Sequence, residues 1–117
     1  MDSFIKLVEP DSEYHAEAVE LFRSLCEGRK LVANVDQREG QLLHLRLIDP
    51  SDPAVATDPN VSINADLLRA GVATIDRKGC RYIGAYPKVV ERLQQSINGA
   101  KKDRLGIFEL GDVTEDD

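Results

Sequence analysis

The stretch Tyr86–Asp112, YPKVVERLQQSINGAKKDRLGIFELGD, decides how the rest of the chain can be arranged. Pro87 suits the first turn of a helix, because it has no N–H group that would be left unpaired there. The apolar residues that follow are spaced four or three positions apart, which is the spacing of one helix face. They are Tyr86, Val90, Leu93, Ile97 and Ala100, with Val89 beside them. We predict a helix from Pro87 to about Arg104, with Gly99 inside it at a cost of about 1 kcal/mol.

The composition indicates one small domain with more acidic than basic residues. The chain has 117 residues, enough for one hydrophobic core but not for two. It has 21 acidic and 15 basic residues and a net charge of −6. The chain as a whole is therefore a poor nonspecific binder of nucleic acid, and such binding requires a local basic patch. Residues 112–117 carry four acids and are predicted to form an acidic tail.

Nothing in the sequence predicts export or a membrane span. The first residues lack the basic segment and apolar run of a signal peptide, and no apolar run approaches the length of a membrane helix. We therefore expect a cytoplasmic protein with no membrane partner, in which Cys26 and Cys80 are reduced thiols. A disulfide between the two cysteines is the alternative.

The first part of the chain is predicted to form a short strand and a helix. Phe4–Val8 is rich in β-branched and aromatic residues and ends at a proline. A helix from Glu13 to Cys26, capped by Asp11 or Ser12, has one apolar face. That face consists of Tyr14, Ala18, Leu21, Phe22 and Leu25.

Two segments of alternating polarity predict an antiparallel hairpin. Lys30–Gln37 and Gln41–Asp49 alternate between apolar and polar residues, and the turn Gln37–Gly40 joins them. Leu43, Leu45 and Leu47 of the second segment share the inner face, opposite Leu42 and Ile48. His44 and Arg46 alternate with these three leucines and are therefore predicted to lie on the outer face, which makes His44 a surface residue rather than a catalyst.

The middle of the chain is predicted to contain loops and short elements. Pro50–Val61 has three prolines and is predicted to be a loop, as is Arg77–Gly84. Ser62 caps a short helix, Asn64–Ala70, and a strand, Val72–Asp76, follows.

The order of these elements predicts an α+β domain with two long helices, one short helix and four strands. The strands would form a small barrel or a curled sheet. Four short strands are too few to close a barrel, so either an edge of the sheet is exposed or strands upstream are missing.

No pattern of residues predicts an enzyme or a metal site. The sequence has no His-rich or Cys-rich metal motif, no glycine-rich phosphate loop after a strand and no local signature of a catalytic triad. Pairs of acidic residues fall in predicted turns or in the tail, where exposure to water explains them. We therefore predict no metal and no cofactor.

Two basic clusters are the candidate sites for nucleic acid: Arg77, Lys78 and Arg81 in a loop, and Lys101 and Lys102 at a helix end. The loop cluster is the stronger candidate, because bases beside an aromatic residue, here Tyr82, suit phosphate contact together with base stacking. The alternative is a solvated loop. For the second cluster, the alternative is that the positive charges only complement the helix dipole.

Three segments resemble a known family: EGRKLVANVD at 27–36, SINADLLRAGVATID at 62–76 and AKKDRLGIFELGDVTEDD at 100–117. They are similar to staphylococcal-nuclease-like domains, most of all to the last such domain of Tudor staphylococcal nuclease (Tudor-SN) proteins. The family's closing motif has tryptophan where this chain has Phe108 and tyrosine where it has Leu110. The resemblance covers almost the whole chain.

The resemblance implies a five-stranded OB-type barrel. In Tudor-SN proteins a Tudor domain is inserted into this last nuclease-like domain, and the present chain begins at what would be the third strand of the barrel. Residues 1–117 are therefore expected to form a single nuclease-like domain that is a fragment of a larger protein, with the first strands of its barrel missing.

The resemblance also implies that the chain is catalytically inactive. The calcium-binding carboxylates, one arginine and the general base of the parent nuclease precede the first long helix, in a region that this chain does not contain. The position of the second catalytic arginine falls near Gln41, and Arg46 lies too far along the strand to match it. The metal, the activated water and the guanidinium clamp on the phosphate would all be missing.

By resemblance, Tudor-SN proteins act in RNA binding, RNA silencing and transcriptional coactivation, in the cytoplasm and the nucleus. We expect a domain that binds single-stranded or structured RNA or serves as a scaffold. The alternative is a protein–protein module whose open sheet edge pairs with a partner or with a second copy. An active calcium-dependent nuclease is the least favoured function.

Overall fold

The computed structural model describes residues 3–58 and 60–111, and the predicted acidic tail at 112–117 lies outside these ranges. The helices and strands follow one another in this order: β1 (Ile5–Leu7), α1 (His15–Cys26), β2 (Val32–Glu39), β3 (Leu42–Ile48), α2 (Pro53–Thr57), α3 (Ile63–Arg69), β4 (Ala73–Ile75) and α4 (Pro87–Asp103). Short stretches of 3-10 helix cover Arg81–Ala85 and Gly106–Phe108. None of the described helices combines the length and the apolar character that crossing a membrane requires.

The strands form two separate antiparallel pairs. In the first, Ile5 of β1 lies opposite Ile75 of β4, and the second pair is the hairpin of β2 and β3. The predicted mixture of helices with a small antiparallel sheet is confirmed, but the described strands do not make one curled sheet or a closed barrel. A backbone hydrogen bond of 2.8 Å from the N–H of Ser3 to the carbonyl of Leu45 connects the two pairs.

The third and fourth helices contribute most of the hydrophobic core. Leu67 and Leu68 of α3 pack in the same cluster as Leu93 and Ile97 of α4, and none of the four is more than 1% exposed. The apolar stripe predicted for α4 is therefore confirmed with one difference. Val89, predicted to lie beside the stripe, is buried, whereas Val90 is only partly buried. The helix passes through its asparagine–glycine pair without a break, as predicted.

The first long helix begins later than predicted. It starts at His15 with no side-chain cap, and the hydroxyl of Ser12 instead accepts a hydrogen bond from the N–H of Tyr14 in the preceding turn. The predicted apolar face is confirmed, because Ala18 is fully buried and the leucines and the phenylalanine of that face pack on the core.

Two segments predicted to be loops contain helical turns. In the proline-rich segment, the carboxylate of Asp52 accepts a hydrogen bond from the N–H of Ala54, and Pro53 occupies the first turn of α2. The predicted loop at Arg77–Gly84 contains most of the 3-10 stretch that starts at Arg81. The first prediction was wrong because a proline that excludes a long helix is compatible with the first turn of a short one. The second segment has no proline, and a single 3-10 turn is too short to show a helical periodicity.

Asn64, at the start of α3, joins the two strand pairs. It is 1% exposed. Its side-chain oxygen accepts a hydrogen bond from the N–H of Leu47 at 3.1 Å, and its amide nitrogen donates to the carbonyls of Ser3 and Leu45 at 3.0 and 3.2 Å. The hydroxyl of Ser62 caps the helix, as predicted, and so holds its first turn in place for these contacts.

Gly71 and Gly106 allow two backbone segments to touch. Both have a positive φ, 75° and 54°, and the carbonyl of Gly71 accepts a hydrogen bond from the N–H of Ile107 at 3.0 Å. A Cβ at Gly71 would stand 2.2 Å from the carbonyl oxygen of Leu105. This contact fixes the chain that leaves α4 against the end of α3 and places Phe108, which is fully buried, in the core.

Replacing Gly71 by alanine should lower the free energy of unfolding by about 2–4 kcal/mol, because the new Cβ adds a steric clash to a left-handed backbone. Equilibrium unfolding in urea measures the difference. Gly84→Ala is the matched control, since nothing lies within 4 Å of a Cβ at that position, and it should change the free energy by less than about 1 kcal/mol. Equal effects of the two substitutions would contradict this role of the Gly71 contact.

Candidate nucleic-acid interface

The turn after β4 presents the first basic cluster in an ordered shape. The side chain of Asp76 accepts a hydrogen bond from the N–H of Gly79 at 2.8 Å, and its backbone carbonyl accepts one from the N–H of Cys80 at 3.0 Å. Lys78 and Arg81 are exposed on this turn. Two cations therefore stand at a defined place on the surface, with the carboxylate of Asp76 beside them.

Arg77 is directed towards α4. Its guanidinium Nη2 donates a hydrogen bond to Oε1 of Gln94 at 3.1 Å, and Nε2 of Gln94 donates in turn to Oδ1 of Asn98 at 2.9 Å. The structure thus brings the first cluster to the exposed side of the last helix. Sequence analysis missed Gln94 and Asn98, because uncharged amides at helical spacing give no signal of a binding surface.

The second basic cluster lies in the last turn of α4, as predicted. Lys101 is half-buried, and its Nζ stands 5.7 Å from the centre of the Phe108 ring, within the range of a cation–π contact. Lys102 is exposed. Both charges are favourable at the negative end of the helix dipole. Lys102 is the better placed of the two for a ligand in solution.

The ring of Tyr82 is turned towards the core. Its centre lies 5.4 Å from that of Phe4, 5.1 Å from that of His44 and 6.3 Å from that of Tyr86. These edge-to-face and tilted contacts are the favourable arrangements of packed aromatic rings. The structure does not support the predicted use of Tyr82 for stacking on bases.

The outward orientation predicted for His44 and Arg46 is wrong. The register of the hairpin shifts between Val35 and Gln37, so that Asp36 is an extra residue in β2. Asp36 and His44 are 5% and 3% exposed, and Nη2 of Arg46 lies 3.3 Å from Oδ1 of Asp36. This bulge lies in β2 and leaves the alternation of β3 intact. The prediction failed because both faces of β3 carry apolar residues, and the face with His44 is the one that packs on the ring of Tyr82.

The buried polar residues of the hairpin hold it to the start of α4. The side-chain amide of Asn34 donates to the carboxylate of Asp36 at 2.8 Å, and the hydroxyl of Tyr86 donates to the backbone carbonyl of Asp36 at 2.6 Å. Nε2 of His44 is 3.4 Å from a carboxylate oxygen of Glu39, which is the kind of pair that general bases use. Because His44 is almost fully buried, a nucleic acid in solution cannot reach it.

The positions considered for catalysis are not assembled into a site. Within residues 3–58 and 60–111, no three His, Cys, Asp or Glu side chains form a group that could hold a metal ion. Neither Cys26 nor Cys80 forms a disulfide. Gln41, where the resemblance places the second catalytic arginine, is exposed in the turn of the hairpin.

Curated proteins with similar sequences come from fungi and plants. The chain is 31% identical over 114 residues to staphylococcal nuclease domain-containing protein 1 of Schizosaccharomyces pombe, and the match covers 97% of the chain. It is 24% and 25% identical to the ribonucleases TUDOR 2 and TUDOR 1 of Arabidopsis thaliana, each over 98% of the chain. No protein-family model matches the chain.

A solved structure shares the fold. It is the extended Tudor domain of Drosophila melanogaster Tudor-SN (p100), which superposes with a TM-score of 0.70 over 92% of this chain at 20% sequence identity. The chain is a homologue of the Tudor-SN proteins. It spans 13% of the length of the S. pombe relative, 12% of each Arabidopsis relative and 45% of the Drosophila chain.

Two ionisable side chains of the basic loop in this Tudor-SN homologue, those of Cys80 and Tyr82, are buried or partly buried. Burial raises the pKa of the Tyr82 hydroxyl above its usual value of 10.0, and the neighbouring Cys80 thiol raises it further. Burial likewise raises the pKa of the Cys80 thiol above its usual 9.0. Both groups bind their protons more tightly in the folded chain than in the unfolded chain.

The free energy of unfolding should therefore fall as the pH rises above about 9, because the unfolded chain releases these protons first. Urea unfolding at a series of pH values between about 8 and 11 measures the slope. Tyr82→Phe removes one of the two groups, so its stability should fall less steeply than that of the wild type. A variant as steep as the wild type would contradict the assignment.

Proposed function

We propose that this chain is a catalytically inactive nuclease-like domain that binds RNA as part of a Tudor-SN protein. Such a domain would act as an RNA-binding scaffold in RNA silencing and transcriptional coactivation, in the cytoplasm and the nucleus. The observation that carries the proposal is the ordered turn after β4, which presents Lys78 and Arg81 together on the surface of an otherwise acidic chain.

Electrostatics favour a local rather than a general interaction with RNA. Lys and Arg near the phosphates supply most of the affinity for a nucleic acid, and each contact adds to the dependence on salt. The carboxylate of Asp76 lies in the same turn and accepts a hydrogen bond from the N–H of Gly79, and its single negative charge is outnumbered there by the positive charges of Lys78 and Arg81. The two exposed cations can therefore attract phosphate even though the chain has a net charge of −6.

The neutral residue at Gln41 supports catalytic inactivity. The resemblance places a catalytic arginine near this position, and a guanidinium there would stabilise the negative charge that develops on the phosphate. An amide carries no charge and cannot supply that stabilisation. Binding of RNA without cleavage is consistent with this difference.

The names of the homologues support RNA as the class of ligand. Two of them are called ribonucleases. Because this chain spans only 12% of their length, their activity does not transfer to it. Nonspecific binding through phosphate contacts requires exposed cations, and this chain has them at Lys78 and Arg81.

The double variant Lys78→Glu, Arg81→Glu should bind a fluorescein-labelled single-stranded RNA at least tenfold more weakly than the wild type. Two lost phosphate contacts should also reduce the salt slope of the affinity by about 1.4. Fluorescence anisotropy at several salt concentrations measures both quantities.

Lys30→Glu, Arg38→Glu is the matched control, because it makes the same change of charge at exposed positions outside the turn. It should weaken binding by less than about threefold. The RNA should stay full length during incubation with calcium, as seen on a denaturing gel. Unchanged affinity of the loop variant would overturn the proposed site, and cleavage that EDTA abolishes would overturn catalytic inactivity.

A second candidate function is self-association through the open edge of β2. Among the described strands, β2 pairs only with β3. The four residues from Val32 to Val35 are all exposed, and these two valines are 51% and 52% exposed. A strand that is open at its edge and exposes valines is a template for pairing with another strand. The same strand of a second copy is the simplest partner.

Sedimentation velocity at increasing protein concentration should detect a dimer if β2 pairs in this way. Val35→Lys should abolish the dimer, because a charge on the edge opposes pairing. Val19→Lys is the matched control on α1, where Val19 is 44% exposed, and it should leave the dimer unchanged. A wild type that is monomeric at every concentration, or equal effects of both variants, would exclude this function.

A further inference from the structure

The two basic clusters are connected along one side of α4. Nη2 of Arg77 donates to Oε1 of Gln94 at 3.1 Å, and Nε2 of Gln94 donates to Oδ1 of Asn98 at 2.9 Å. Lys102 is four residues beyond Asn98, so the two side chains are neighbours on the helix surface. We call these four residues, Arg77, Gln94, Asn98 and Lys102, the donor row.

The guanidinium of Arg77 determines which atoms donate and which accept in every hydrogen bond of the row. A guanidinium can only donate hydrogen bonds, so the oxygen of Gln94 must face it. The nitrogen of Gln94 then faces the oxygen of Asn98, and the nitrogen of Asn98 is turned away from Gln94. Each amide oxygen thus already accepts a hydrogen bond within the row. What the row offers to a ligand is N–H groups and the ammonium of Lys102.

The acidic residues near the row leave its N–H groups and the ammonium of Lys102 available to a ligand. Asp103, at the end of α4, forms an ion pair with Arg69. Glu91 is exposed one turn before Gln94 and marks the end of the row on that side. Asn98 and Lys102 are exposed, so a ligand can approach from solvent.

We propose that the donor row binds the phosphodiester backbone of single-stranded RNA, laid along α4 from the loop after β4 to the end of the helix. The inference rests on the proposed RNA binding and extends it from the loop to the helix. From Gln94 to Lys102 the row covers about 12 Å at 1.5 Å per residue, which exceeds the size of one phosphate group and fits a polyanion. A single row of donors suits the backbone of one RNA strand, whereas duplex RNA is recognised by contacts across its grooves.

The amides of the row provide the first test. Asn98→Asp and Gln94→Glu replace donors by acceptors without changing the size of the side chain, and each should weaken binding of fluorescein-labelled oligouridylate about tenfold. Gln95→Glu makes the same change of charge on the neighbouring face of α4, where Gln95 lines a pocket with Asp58 and Lys88. It should weaken binding less than about twofold. Equal losses in all three variants would overturn the donor row in favour of a general effect of charge.

The salt dependence provides the second test. Lys102→Gln should reduce the salt slope of the affinity by about 0.7, the contribution of one contact to a single strand. Combination with Arg77→Gln should double the reduction, because both ends of the row contact the same RNA in the wild type and both contacts are then lost. Lys88→Gln, at another exposed lysine of α4, should leave the slope unchanged.

The outcomes separate the two proposals. Loss of binding in the Lys78→Glu, Arg81→Glu variant but not in Asn98→Asp and Lys102→Gln would keep RNA binding and overturn the donor row. A wild type that does not bind oligouridylate or any other single-stranded RNA would overturn both. Circular dichroism of each variant checks that the helix content is unchanged, so that a loss of binding is not a loss of folding.

Discussion

The arrangement of this domain depends on the side chain of Asn64. An amide has a donor and an acceptor at its end, and this one satisfies three backbone groups that belong to different parts of the chain: the N–H of Leu47 and the carbonyls of Ser3 and Leu45. Buried backbone groups need such partners, because an unpaired one costs about 1–3 kcal/mol. Two short strand pairs that share no continuous ladder are thereby held against the start of one helix, and the core closes around that point.

Helical periodicity predicted the parts of the fold that bury one face of a long element. It gave both long helices within a few residues, and the cap of α3 at Ser62 was visible as well. It did not predict the role of Asn64, since a polar residue in the first turn of a helix has no special pattern. The orientation of β3 could not be predicted either, because both of its faces carry apolar residues and alternation alone does not show which face packs on Tyr82.

The candidate site was predictable only as a set of charges. Lys78 and Arg81 stand out in the sequence and are exposed in the structure, whereas Tyr82, which lies between the same elements, turns inwards to Phe4 and His44. The relation between the two basic clusters depends on uncharged amides of α4 and on the path of the loop. Predicting this relation requires knowing which residues are close in three dimensions, and a single sequence does not give that information.

The pairing of β1 with β4 has a consequence for the order in which the domain folds. Ile5 and Ile75 are about 70 positions apart in the chain, so joining them closes a long loop at an entropic cost that the local hairpin of β2 and β3 avoids. The hairpin and the helices can form from neighbouring residues. During synthesis β1 emerges before β4 and remains without this partner until β4 has been made. The strand that begins the described chain is therefore expected to be among the last to be fixed in place.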